Sequence, residues 1–242
     1  MSLTIIHTAD LHDRLEGARA DALGFLREQM DALLLDSGDA IGAGNVLVRP
    51  NEPVLEQMNR AGYSAMAAGN REFFFRRRGM QFKTRQARFP VLAANIVRLG
   101  EGTAQLQRWT VLEHGGERVG LFGLTPTMIQ SGHPFERLSD LRFIEWTAAA
   151  REATEDLRGQ VDWLIVLSHR GVEDDHMLVR LCPEVDIILG GHSHEEQFAE
   201  LGPRPTLLSH AGAHGQRAAV IKASREADGR NRFESTLMEV GS

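Results

Sequence analysis

Five short polar clusters occur in one order along this chain: Asp10-Leu-His12, Gly38-Asp39, Gly69-Asn70, Ser168-His169 and Gly191-His192-Ser-His194. Their ligand-type side chains are Asp10, His12, Asp39, Asn70, His169, His192 and His194, a set of oxygen and imidazole donors without thiolate. Such donors suit Mn, Fe or Zn and match a closed Cys-type structural zinc poorly. A carboxylate such as Asp39 can bridge two divalent ions about 3.5 to 4 Å apart, so that one lowers the pKa of a bound water and both clamp a phosphoryl oxygen. That is the chemistry of phosphoester hydrolysis. In Asp10-Leu-His12, and again in His192-Ser-His194, alternation along an extended backbone would put both donors on one side.

Each cluster follows an apolar run that reads as a strand buried on both faces: residues 3–9 (LTIIHTA), 32–35 (ALLL), 63–68 (YSAMAA), 161–167 (VDWLIVL) and 185–189 (VDIIL). Between them, residues 16–30, 52–60 and 147–158 carry apolar side chains at three- and four-residue spacing, which predicts helices. Strand and helix in alternation imply parallel pairing with right-handed crossovers. Ligands in open α/β sheets collect beyond the carboxyl ends of the strands, where all five clusters fall. Two end runs, residues 218–223 and 232–240, joined by ADGRN at 227–231, predict a hairpin without ligand-type residues. Residues 41–45, 98–105 and 130–134 read as loops.

The series closely resembles the calcineurin-like metallophosphoesterases, and IIHTADLH, LLLDSGD and GGHSH are similar to the catalytic domain of their 5'-nucleotidase branch. The resemblance runs from Leu3 to about Lys222 and includes SHAGAHGQ at 209–216. It implies an α/β fold, a four-layer α/β/β/α sandwich of two mixed sheets. It also implies that Asp10, His12, Asp39 and His194 hold one divalent ion, while Asp39, Asn70, His169 and His192 hold the other, with Asp39 bridging. The implied reaction is attack of a metal-bound hydroxide on the phosphorus of a small phosphorylated substrate, nucleotides among the candidates. Two other readings stay open: a non-catalytic metal-binding regulatory protein of the same fold, and a phosphodiesterase or nuclease.

Two departures from the family pattern matter. Its third motif usually reads GNHEFD, with the His near the leaving group and the Asp orienting it, whereas residues 69–74 here read GNREFF. Arg71 stays protonated and makes a poor proton donor, yet it can stabilise charge developing on the phosphoryl group. General acid catalysis is worth about 10²- to 10⁴-fold, so its loss slows departure of poor leaving groups. The second departure is length: the longer 5'-nucleotidases recognise the base with a separate C-terminal domain, and residues 1–242 are expected to form one catalytic domain.

With 42% hydrophobic and 25% charged residues, the composition is that of an ordinary soluble globular protein. No stretch is apolar enough to span a bilayer and no signal-like segment opens the chain, so the expectation is a cytoplasmic protein without a membrane partner. The lone Cys182 excludes an internal disulfide and reads as a small buried hydrophobe. A net charge of −6 argues against a general nucleic-acid-binding surface. The basic run Arg76, Arg77, Arg78, Lys83, Arg85 and Arg88 reads as a solvated helix face, with a phosphate-attracting rim as the functional alternative. Phe73, Phe74 and Phe75 read as core or interface, with base stacking as the alternative. His7 reads as a core histidine; His210 and His214, flanking a glycine, are assigned as substrate contacts together with Arg71. His133 could lie over the metals and replace the missing acid, while His114 and His176 read as surface residues.

Overall fold

In a computed structural model, residues 2–42, 51–74, 76–97 and 106–241 are described. The chain opens with β1 (Ser2–Thr8), α1 (Gly17–Met30), β2 (Leu33–Asp36), α2 (Pro53–Ala61), β3 (Ala65–Ala67) and α3 (Arg77–Thr84). Short strands follow: β4 (Val91–Leu92), β5 (Ile96–Val97) and β6 (Leu106–Gln107), then β7 (Trp109–His114) and β8 (Glu117–Leu124). Next come α4 (Phe135–Ser139), β9 (Arg142–Phe143), α5 (Trp146–Leu157), β10 (Trp163–Ser168), α6 (Val172–Leu181) and β11 (Ile187–Gly190). The chain closes with β12 (Glu196–Leu201), β13 (Thr206–Ala211), β14 (Arg217–Arg225) and β15 (Asn231–Glu239).

Among the described residues these strands build two mixed sheets. The first has the order β15-β14-β1-β2-β3-β4-β6, the second β12-β13-β11-β10-β8-β7, and β5 pairs with β9 apart from both. The strands that carry the polar clusters pair in parallel: β1 with β2 and β2 with β3 in one sheet, β10 with β8 and β11 in the other. The expected end hairpin is present as antiparallel β14 and β15, and β14 extends the first sheet by pairing with β1.

Period-two alternation sorts each strand between two apolar layers. Leu3, Ile5, Leu33 and Leu35 of the first sheet meet Val119, Leu121, Ile165 and Leu189 of the second in one buried cluster. Ile6, Leu34 and Met66 face the other way, against Leu23 of α1 and Leu55 and Met58 of α2. Phe122, Leu164 and Ile188 likewise face Ala149 and Ala153 of α5 and Leu178 of α6. The result is the expected four-layer α/β/β/α sandwich. Helix α2 shows the local logic: Pro53 stands in its first turn, Val54, Leu55, Met58 and Ala61 form its buried stripe, and Gly62 ends it with φ 79°. The sheets are in direct backbone contact where β8 meets β4 and the residues just after it: Ala94 N–H donates to the Gly123 carbonyl at 2.7 Å, and a Cβ on Gly123 would stand 2.2 Å from the Leu92 carbonyl oxygen. Only glycine fits there. Among the described residues no helix is long and apolar enough to cross a membrane.

Candidate metal centre

The five clusters leave the ends of β1, β2, β3, β10 and β11 and converge. Beyond the first sheet, the backbone of residues 10–13 runs beside that of residues 38–40: the N–H groups of Asp10, His12 and Asp13 donate to the carbonyls of Gly38, Asp39 and Ala40 at 3.0, 3.0 and 2.8 Å. This ladder sets Asp10 and His12 against Asp39. The two sheets are joined beneath the centre by His169, whose Nδ1–H donates to the Ser37 carbonyl at 2.8 Å. Because a carbonyl only accepts, that bond aims Nε2 of His169 at the carboxylates.

The backbone does not position these donors by extended alternation. Asp10 (φ 51°), His12 (φ 50°), Asp39 (φ 56°), His192 (φ 73°) and His194 (φ 58°) all lie in the left-handed region. Pairs two apart therefore converge through tight turns, which corrects the pincer expected from a strand end. Asp and His are among the non-glycine residues that tolerate this region best.

Asp10 Oδ1 lies 3.6 Å from His12 Nε2, 3.3 Å from His194 Nε2 and 3.9 Å from His169 Nε2. Asp39 stands between two histidines, with Oδ2 3.5 Å from His12 Nε2 and Oδ1 3.4 Å from His169 Nε2. Among the described residues, two groups of three have ligand atoms all within 4.8 Å of one another: Asp10, His12 and His194, and Asp10, Asp39 and His169. His192 stands beside His169, ring centroids 5.1 Å apart, and its N–H donates to Asp10 Oδ2 at 2.8 Å. Asp10 Oδ1, His12 Nε2, Asn70 Oδ1 and His169 Nε2 are buried without a hydrogen-bond partner. Three of these, Asp10 Oδ1, His12 Nε2 and His169 Nε2, lie together, and orphaned buried ligand atoms in one place fit bound divalent metal, since buried polar atoms are otherwise satisfied.

The site's protonation follows from burial and charge. Burial by itself pushes Asp39 up, but the adjacent His169, with the Arg71 N–H and His12, outweighs it and holds the carboxyl below its ordinary range. In His169 burial is again the largest influence and is overcome by Asp39 and Asp10, which raise the imidazole to about 9. Burial and the Arg71 guanidinium lower His12 to about 4, so it is neutral. A metal at His169 Nε2 must displace a proton at neutral pH. Metal affinity should therefore rise with pH, about tenfold per unit until roughly pH 9, with one proton released. Titration calorimetry in two buffers of different ionisation enthalpy checks this; pH-independent affinity between 6 and 8 would contradict it.

Two buried charged residues, Glu72 and Lys83, support the centre. Glu72, fully buried, accepts from the N–H groups of Gly69 (2.7 Å), Asp39 (3.0 Å) and Ile41 (3.1 Å), tying the second and third clusters together. A glycine at 69 is required, because a Cβ there would stand 2.3 Å from Asp39 Oδ1. Glu72→Ala leaves three buried donors unpaired and should cost at least about 3 kcal/mol, read in chemical denaturation of the metal-free protein. Lys83, 4% exposed, donates from Nζ to the Arg71 carbonyl at 3.1 Å. The basic run is thus not one solvated face: Lys83 is buried, whereas Arg76, Arg78 and Arg88 are exposed.

Arg71 reaches the centre, its Nε 3.6 Å from Asp39 Oδ2 and its N–H donating to Asp39 Oδ1 at 2.7 Å. Phe74 turns away, its ring packed over Gly79 of α3 and against the outer apolar cluster. His214, half-buried, sets its ring 5.1 Å from His12 and 5.7 Å from His194, on the rim of the centre. The assignment of His210 to substrate contact is corrected. Its ring is 1% exposed, with Nε2 2.9 Å from the buried Asp175, which also accepts from Ser168 Oγ. His133 is exposed and stacks on Phe135 at 5.2 Å.

His7 is fully buried between the sheets, bonded to Ser37 Oγ at 2.6 Å, and burial and nearby His210 lower it to about 3. Cys182 is buried and free, as expected. Phe73 packs against Phe143, consistent with a core role. His114 and His176 are half-buried rather than exposed. Phe75, residues 43–45 of the first expected loop and the whole of 98–105 lie outside the described residues.

The comparisons with known proteins agree with this fold. Rat 5'-nucleotidase is 30% identical over 260 aligned residues that include 91% of this chain and 44% of the rat protein. The chain thus spans less than half the length of that relative. The solved structure of a 5'-nucleotidase precursor from Thermus thermophilus superposes with a TM-score of 0.84 at 26% identity, over 99% of this chain and 55% of that one. A calcineurin-like phosphoesterase from Bacillus subtilis shares the fold at a TM-score of 0.78 and 20% identity, over 99% of this chain and 91% of its own. The pattern of the calcineurin-like phosphoesterase family matches residues 3–196. The chain belongs to the calcineurin-like metallophosphoesterases, in their 5'-nucleotidase branch.

Proposed function

We propose that this chain hydrolyses phosphate monoesters with two divalent ions held by Asp10, His12, Asp39, Asn70, His169, His192 and His194. The observation that carries this reading is the convergence of Asp10 Oδ1, His12 Nε2 and His169 Nε2, all buried and unpartnered, beside the Asp39 carboxylate. When bound, such a pair supplies an activated water and neutralises the phosphoryl oxygens. The chain's own residues do the rest. Asp39, fixed by the Arg71 N–H and by Glu72 through the loop backbone, keeps its two oxygens aimed at different histidines. The Arg71 guanidinium, beside Asp39 at the edge of the centre, is placed to stabilise negative charge on the phosphoryl group or on the departing oxygen. His214 on the rim is the remaining candidate substrate contact.

Metal analysis of the purified protein, joined to turnover of a nitrophenyl phosphate with Mn, tests this reading. Bound metal with turnover supports it. Bound metal without turnover favours a metal-binding regulatory protein, the second reading, to which the Arg71 and Phe74 replacements lend weight. Faster cleavage of a diester than of its monoester would indicate a phosphodiesterase.

A further inference from the structure

An apolar cavity of about 560 Å³ is lined by Phe73, Met128, Ile129, Gln130, His133 and Phe135. Its size falls in the range of small-molecule pockets. Two of its walls leave the site itself. Phe73 follows Asn70 by three residues, so their Cα atoms are at most about 11 Å apart. The 128–135 wall leaves the carboxyl end of β8, where the Leu124 carbonyl accepts the His169 N–H at 2.8 Å. Both lining segments are therefore reached from the sheet edge that carries the ligands. Its chemistry is flat and apolar: the His133 and Phe135 rings stack at 5.2 Å with 4° between planes, and Gln130 adds an uncharged amide. Met128 and Phe135 are 40% and 50% exposed, a large apolar outlay for a surface loop unless something covers it.

A second, independent observation selects the occupant. Arg71 and Phe74 leave the third motif without a proton donor, which favours an oxygen that departs as a stable anion. Aliphatic alcohols do not; phenols do. We infer that this cavity receives the aromatic leaving group of an aryl phosphate monoester, an assignment that rests on the phosphoesterase reading above. In the reaction a water oxygen forms the new bond to phosphorus and the bond from phosphorus to the aryl oxygen breaks. The electron pair leaves with that oxygen as a phenolate, and a water proton is released, giving inorganic phosphate.

The test compares 1-naphthyl phosphate, acetyl phosphate and adenosine 5'-monophosphate on the natural protein and on Phe135→Ala, with Phe25→Ala on α1 as a remote exposed control. Binding of 1-naphthol to the metal-free proteins is followed by fluorescence. Phe135→Ala should weaken naphthol binding about tenfold and lower the naphthyl-to-acetyl ratio of kcat/KM by a similar factor through KM, while Phe25→Ala leaves both where they were. Turnover without saturable naphthol binding, or a ratio unmoved by Phe135→Ala, overturns the inference. An equal loss on adenosine monophosphate would make the occupant a purine base and overturns it too. Naphthol binding with no turnover of any ester refutes instead the phosphoesterase reading on which the substrate role depends.

Discussion

Asp39→Asn should strip the chain of metal at both positions together, taking bound metal from about two ions per chain to below one. The carboxylate faces His12 with one oxygen and His169 with the other, at 3.5 and 3.4 Å. An amide supplies a single acceptor oxygen and no charge. If its nitrogen takes the Oδ1 position it also confronts the Arg71 N–H, which now donates there at 2.7 Å. The loss should exceed the roughly 10- to 100-fold in affinity that outer residues of metal sites contribute. His12→Ala should mainly weaken the position shared with Asp10 and His194. Elemental analysis after dialysis against limiting metal decides the matter. If Asp39→Asn loses one ion and Asp10→Asn loses both, then Asp10, which belongs to both three-residue groups, is the bridge instead.

The second large effect concerns the leaving group. With arginine at 71, nitrophenyl esters should be cleaved about 10²- to 10⁴-fold faster than nucleoside 5'-monophosphates under the same metal conditions, because a nitrophenolate departs without a proton and a nucleoside alkoxide does not. Arg71→His should narrow that gap by improving the poor leaving group more than the good one. Adding Phe74→Asp completes the resembled pair, but the ring packs over α3 and the apolar cluster, so the double variant also loses packing. The single variant is the cleaner measurement. Equal rates on both substrate types, with chemistry rate-limiting, would show that another side chain supplies the proton; exposed His133, stacked on Phe135, has no contact that marks it for that role.

Much of this arrangement was legible in the sequence because parallel strands buried on both faces leave a strong apolar signature and end where ligands collect. That logic found β1, β2, β3, β10 and β11 and the clusters that follow them. It did not find β12 or β13, since Glu196–Leu201 is half polar and Thr206–Ala211 runs straight into the glycine turn. For the same reason the sequence places His210 in the turn and on substrate, whereas it is the last residue but one of a fully buried strand and pairs with Asp175. Glu72 was hidden differently. An acidic residue beside a motif is expected in solvent, and only the three-dimensional path of Gly69, Asp39 and Ile41 shows that their N–H groups need it.

The left-handed backbone at Asp10, His12, Asp39, His192 and His194 sets function and durability against each other. Each such residue forgoes about 1 to 2 kcal/mol relative to an ordinary conformation, and the surrounding sheets must hold it there before any ion arrives. Glycine at these positions would relax the turns while removing the ligands. A library of variants sorted for heat resistance alone should therefore drift first toward loss of the centre, and one sorted for metal retention should accept the lower melting temperature that goes with it.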